Sequence, residues 1–174
     1  MPLETPRLTL REYTPEDFAA LREILSDPET MRFYPRPYDD AGVRRWLDWC
    51  VQCYADLGFG LWAMCLPDSG ELIGDCGISI QNIHGAYRPE VGYHVRRDHW
   101  RRGYAAEAAR ACRDWAFENT PFQRLYSYMN AENVASRGVA RKNGMRWIED
   151  YVERDGVLHS VYAITRGEWA ALPR

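Results

Sequence analysis

The sequence predicts a single α/β domain spanning residues 1–174, and three observations carry that prediction. Patterns with apolar residues at every second position alternate with helical patterns, in the order β-α-α-β-β-β-α-β-α-β-β. No linker, repeat or low-complexity stretch interrupts them. The chain has 174 residues, 46% of them hydrophobic and 13% aromatic, which is enough to bury one core without disulfide or metal staples.

The elements follow in order. Leu8, Leu10 and Tyr13 alternate with polar neighbours and predict a first strand. Thr14-Pro15-Glu16-Asp17 announces a helix: Thr14 caps, Pro15 suits the first turn, and Asp17 reaches back as in a capping box. Phe18, Leu21, Ile24 and Leu25 form its apolar face. The aromatic, proline-rich stretch 31–40 reads as a loop. Asp39 or Asp40 caps a second helix, whose face is Val43, Trp46, Leu47, Cys50, Val51, Tyr54 and Leu57. Gly58 and Gly60 end it. Strands over 61–66 and 72–80 form a hairpin about the turn 67–70. Residues 81–89 read as a polar loop and 90–95 as the fourth strand.

The helix over 104–118 is expected to bury Ala105, Ala108, Ala109, Cys112 and Trp115 or Ala116, small residues that bring its axis close to a sheet. A fifth strand at 125–129 leads to a short helix at 133–142, ended by Asn143-Gly144. Strands at 147–152 and 157–165 close the chain as a hairpin about Asp155-Gly156, a favoured two-residue turn.

Composition excludes several function classes. The formal net charge is −3 and neither half is strongly basic, which argues against nucleic acid as a partner. The five cysteines are odd in number and sit in apolar patterns, as reduced thiols of a cytoplasmic protein do. Cys50 and Cys53 have CxxC spacing but no second pair to complete a zinc site, and the four histidines form no ligand grouping, so no metal is expected. The charged N-terminus predicts neither a signal peptide nor a membrane span. Edge strands and seven tryptophans offer surface for a homodimer, which nothing in the sequence demands.

The segment most charged with function is 91–107. A strand runs into the basic turn Trp100-Arg101-Arg102-Gly103, which opens directly into a helix at Tyr104-Ala105. Backbone N–H groups converge at such a corner and make an anion site. Gly103 lets the backbone approach an anion closely, and two arginines add charge. The alternative is an ordinary turn with solvated arginines.

This corner, with its neighbours, resembles the GCN5-related N-acetyltransferase (GNAT) superfamily, and most closely its RimJ/RimL-like branch of ribosomal-protein N-terminal acetyltransferases. The residues W100-R-R-G-Y-A105 resemble the family's Gln/Arg-x-x-Gly-x-Gly/Ala motif, with Trp100 in the first place and Arg101 where many relatives carry Gly. The opening ETPRLTLREYTPED, the strand Glu90-Val-Gly-Tyr-His-Val95, and Asn133-Val-Ala-Ser136 with Lys142-Asn-Gly144-Met145 resemble further family blocks in the right order.

The resemblance implies a mixed, largely antiparallel sheet with flanking helices, whose fourth and fifth strands splay apart to admit acetyl-CoA as co-substrate. It implies pairing of the pantetheine arm with backbone at His94, Val95 and Arg96, and an oxyanion contact from the Val95 N–H. The pyrophosphate is expected on amides of Arg101, Arg102, Gly103, Tyr104, Ala105 and Ala106, with Asn133 bonding the pantetheine. The implied reaction is direct attack of a primary amine on the thioester. Glu90 is the candidate general base, acting through water or on an amine that approaches from its side; the alternative is that it only pairs with a cation such as Arg88. The family's usual tyrosine acid falls at Ala140, which leaves Ser136 as the candidate donor to the thiolate, with Tyr126 and Tyr128 as further candidates. His94 is a second candidate base unless its side chain faces the core. His84, His99 and His159 read as surface residues. The acceptor is expected among loops 31–40, 81–89 and 152–159, and is either a protein N-terminus or a small molecule such as an antibiotic, polyamine or amino acid. A weakly catalytic CoA-binding sensor is the reading from outside enzymology.

Overall fold

The computed structural model describes residues 3–173. Eight strands form one sheet in the order β1-β2-β3-β4-β5-β6-β8-β7. They are β1 (Leu3–Glu4), β2 (Thr9–Arg11), β3 (Leu61–Cys65), β4 (Leu72–Ile83), β5 (Ala86–Val95), β6 (Arg124–Asn130), β7 (Arg146–Val152) and β8 (Leu158–Thr165). The helices are α1 (Phe18–Leu25), α2 (Asp40–Leu57), α3 (Tyr104–Asn119), α4 (Val134–Lys142) and α5 (Arg166–Ala170). Every strand pair is antiparallel except β5–β6. The short β1 shifts the numbering, so the expected fourth and fifth strands are β5 and β6.

Helix boundaries follow the capping chemistry. Asp17 Oδ2 accepts the Thr14 N–H at 2.8 Å and closes the expected capping box. A 3-10 turn, Pro15–Asp17, precedes α1. Asp39 is the cap of α2, accepting from the Gly42 N–H at 2.7 Å. Of the apolar face expected on α2, Val43, Leu47 and Cys50 are buried, whereas Val51 and Leu57 stand at the surface.

Two cores sandwich the sheet, and alternation along β3 separates them. Leu61, Ala63 and Cys65 face α1 and α2; Trp62 and Met64 face α3 and α4. On α3, Ala108, Ala109, Cys112 and Ala116 are fully buried against the second face, as small residues at helical spacing allow. Ala105 is only half-buried, and Ala106 takes the inward position instead. All five cysteines are free.

Three local expectations are corrected. Residues 81–89 are not a loop. β4 and β5 continue through them and turn at His84-Gly85, whose φ angles of +50° and +79° are those of a primed two-residue turn. The final hairpin does the opposite. Gly156 has positive φ but Asp155 does not, so a primed turn is closed to them. Gly156 N–H bonds Glu153 O and Glu153 N–H bonds Val157 O, giving a three-residue connection with a bulge. His99 is buried, not a surface residue, because a 3-10 turn over Arg97–His99 folds it beneath Arg96 and Tyr104. The C-terminal α5, with its Thr165/Glu168 capping box, was not anticipated.

Candidate active site

β5 and β6 are paired at a single register position, Glu90 opposite Tyr126, and diverge beyond it. Side chains bridge the start of the gap. Ser127 Oγ donates to Val91 O at 3.2 Å, and the Tyr128 N–H donates to the Glu90 carboxylate.

Strand alternation sorts β5 across the sheet. Val91 sits in the α3/α4 core, with Tyr93 and Val95 packed on it. Glu90, Gly92 and His94 therefore project to the α1/α2 side. Backbone directions are fixed as well. The Arg96 N–H bonds Ile73 O at 2.7 Å, so Arg96 and His94 turn their amides toward β4. The His94 N–H is moreover held by Asp75 Oδ1 at 3.0 Å. Of the three residues expected to pair with pantetheine, Val95 alone turns its N–H to the gap. Its carbonyl accepts the Trp100 indole N–H at 2.6 Å, which ties the basic corner to the strand end.

Glu90 is 8% exposed, and Ser79 Oγ donates to Oε2 at 3.3 Å. Burial pushes its pKa up to about 7, against the bonds from Tyr128 and Ser79 and the nearby His94, which pull it down. Arg88 does not pair with it; that guanidinium lies over the Tyr126 ring, 4.8 Å from the centroid.

On the other face, Tyr93 reaches across to α4. Its hydroxyl lies 2.8 Å from Ser136 Oγ and donates to Ser136 O at 3.1 Å. Asn133 caps α4, its Oδ1 accepting the Ser136 N–H at 3.1 Å. Ala140, where the family's tyrosine is expected, is 1% exposed and part of the core.

The basic corner combines two left-handed residues. Arg101 has φ +61° and Gly103 φ +85°. Gly103 is the cap of α3, so the N–H groups of Tyr104, Ala105 and Ala106 have no intrahelical partner. Arg7 braces the corner. Its guanidinium donates to Arg102 O at 2.9 Å and to Glu107 at 2.7 Å, and lies 4.9 Å from the Tyr104 ring centroid. The Arg101 and Arg102 side chains are exposed.

Among the described residues, no group of three or more His, Cys, Asp and Glu is placed to hold a metal ion, and no helix is long and apolar enough to cross a membrane.

A family model described as Acetyltransferase (GNAT) domain matches residues 7–146. The chain belongs to the GNAT acetyltransferase family. Its relatives include an uncharacterized protein of Bacillus subtilis, YkkB, 37% identical over 146 residues that cover 83% of this chain and 85% of YkkB. An acetyltransferase structure from Agrobacterium tumefaciens is 33% identical, covers 94% of each chain and superposes with a TM-score of 0.81. The structure of RimL, a ribosomal L7/L12 α-N-protein acetyltransferase in complex with coenzyme A, shares the fold with a TM-score of 0.78 at 16% identity, over 95% of this chain and 98% of RimL. GNAT enzymes use acetyl-CoA as co-substrate, and this chain is an N-acetyltransferase of that type.

Two residues in contact with the candidate residues, Tyr93 and Asp75, have no role in the sequence reading, whereas Tyr34 lies in the loop 31–40 expected to bound the acceptor. Asp75 carried the clearest signal, a lone charge inside the apolar strand run of β4.

Proposed function

We propose that the chain is a RimJ/RimL-like, cytoplasmic N-acetyltransferase that acetylates a primary amine by direct attack, with Glu90 as general base. The single observation that carries this reading is Glu90 itself. It is a buried carboxyl with a pKa near neutrality, at the point where β5 and β6 part. A base tuned to about 7 accepts a proton from an amine and releases it to water with little cost in either direction.

Coenzyme A fits these residues on three counts. The Val95 N–H faces the gap, the first amides of α3 lack helical partners, and the buried His99 Nδ1 under the corner has no hydrogen-bond partner. Acetyl-CoA supplies an acetyl group activated as a thioester. The Val95 amide is aimed to polarise a carbonyl in the gap. The amides of Tyr104, Ala105 and Ala106, with the charges of Arg101 and Arg102, attract a pyrophosphate. Asn133 keeps its amide NH2 for the same arm while its oxygen caps α4. Ser136, oriented by Tyr93, offers a hydroxyl proton to a departing thiolate. Tyr93 takes this supporting role in place of the tyrosine that the sequence lacks at Ala140.

Incubation with acetyl-CoA and a panel of peptides and small amines, read by mass spectrometry of the acceptor, tests the reading. Mass gain of 42 Da on an amine, reduced about 100-fold in Glu90→Gln, is the expected result. Acetyl transfer that is equal in wild type and Glu90→Gln would remove Glu90 from the mechanism.

A further inference from the structure

The α1/α2 face carries a second chain of proton-handling groups beside Glu90. Asp75 is fully buried on β4, and its Oδ1 lies 2.8 Å from His94 Nδ1. His94 Nε2 lies 2.7 Å from the hydroxyl of Tyr34, in the loop between α1 and α2. Tyr13 donates to Asp75 Oδ2 at 3.3 Å. The Asp75 carboxylate fixes a proton on Nδ1 and leaves Nε2 as the acceptor for Tyr34. Tyr34 is the outer end of the chain. It retains 39% of its surface, and its hydroxyl rests against His94.

We propose that Asp75–His94–Tyr34 is the route by which an ammonium acceptor loses its first proton. The inference rests on the acetyl-transfer reading above. Its ground is proton balance. An alkylamine has a pKa of about 10 and arrives at neutral pH as an ammonium ion. It must shed one proton before its lone pair can attack. It sheds a second as the N–C bond forms and the C–S bond breaks. One of the two protons ends on sulfur and the other in water. An arylamine arrives neutral and sheds only the second.

The face holds two acceptors for the two protons. The ammonium gives its first proton to Tyr34 Oη as Tyr34 passes its own to His94 Nε2. The Asp75 carboxylate stabilises the resulting imidazolium. Glu90 receives the second proton and passes it to water, while the departing thiolate takes a proton from Ser136 Oγ that water replaces, so the net yield is one proton on sulfur and one in water. When product leaves, His94 returns its proton through Tyr34 to solvent.

The groups facing His94 fit this duty. Asp75 stands on β4, Tyr34 in the loop and Glu90 on its own strand, while α2 presents the Trp46 ring at 5.5 Å. Tyr13, Tyr54 and Cys50 stand behind Asp75. Burial pulls the His94 pKa down, but the charge and hydrogen bond of Asp75, with Glu90, carry it above its ordinary value. Tyr34 and His94 touch the acceptor's proton directly or in sequence; Asp75 is a positioning residue.

The test compares kcat/KM for one alkylamine and one arylamine at pH 7 in wild type, Tyr34→Phe and His94→Gln. The proposal expects the loss on the alkylamine to exceed that on the arylamine at least tenfold, and to shrink toward pH 9.5 as free amine accumulates. Equal losses on the two acceptors, or a wild type that acetylates only the arylamine, would overturn it. A second arm needs no acetyl-CoA: 15N NMR of the His94 ring in the free protein. Nδ1 protonated in the neutral ring, with a titration lowered in Asp75→Asn, is expected; a neutral ring protonated at Nε2 would overturn the relay. Transfer to neither amine would count against the acetyltransferase reading, and the NMR arm would still decide the relay.

Discussion

Replacing Glu90 by Gln should make the protein more stable, by an amount that depends on pH in a calculable way. The folded carboxyl titrates at about 7 and its ordinary value is 4.5. The folded state therefore holds a proton that the unfolded chain has already released. The stabilisation this gives relative to the ionised side chain is fully present below about 4.5 and is lost as pH rises through about 7. At 1.36 kcal/mol per pKa unit, the whole difference is about 3 kcal/mol, with no large discount for solvent because the side chain is buried. Gln does not ionise and escapes this loss. Urea denaturation of both proteins at pH 5, 6, 7 and 8 reads the difference directly. The stability of Glu90→Gln relative to wild type should climb by about 2–3 kcal/mol across that range. Any constant offset from altered hydrogen bonds to Ser79 or Tyr128 drops out of the slope. A difference that stays flat within about 0.5 kcal/mol would refute the burial argument, and with it the tuning of Glu90 as a base.

Other perturbations have equally definite outcomes. Arg101→Gly removes a side chain from a left-handed backbone position (φ +61°) and should raise stability by about 0.5–1 kcal/mol in thermal or chemical unfolding; Arg101→Val should lower it. A Cβ added at Gly74 would lie 2.2 Å from His94 O and 2.6 Å from Met64 Cε, so Gly74→Ala should cost about 2–3 kcal/mol and shift the amide resonances of β5. Ser136→Ala should lower kcat by about tenfold with little change in KM for the amine, whereas Tyr93→Phe should lower kcat and also cost about 1 kcal/mol of stability through the lost bond to Ser136 O. Steady-state kinetics beside urea titrations would separate the two.

The order of elements was legible because it rests on local signals, whereas the splayed gap came only with the family resemblance. Alternation, the Thr14/Asp17 and Asp39 caps, and the small-residue face of α3 each act within one element. The misread turns show where local signals run out. His84-Gly85 lies outside the usual dipeptides for a primed turn, whereas Asp155-Gly156 is among them and folds otherwise. The candidate site was legible only as local backbone, in the Gly103 turn before α3 and the strand β5. It was illegible where side chains from distant elements converge. Tyr93 with Ser136 spans 43 residues, and Tyr34 with His94 spans 60. Nothing near either partner announces the other. The amide directions at 94–96 also depend on a ladder register with β4 that the sequence of β5 alone does not contain.

The most direct test of coenzyme A in the β5–β6 gap is a titration of 15N-labelled protein with coenzyme A, followed by amide NMR. The account predicts the largest shifts at Val95 and at Arg101 through Ala106, with His94 and Arg96 moving less because their amides point at β4. Shifts absent from the corner and from Val95, at saturating coenzyme A, would contradict it.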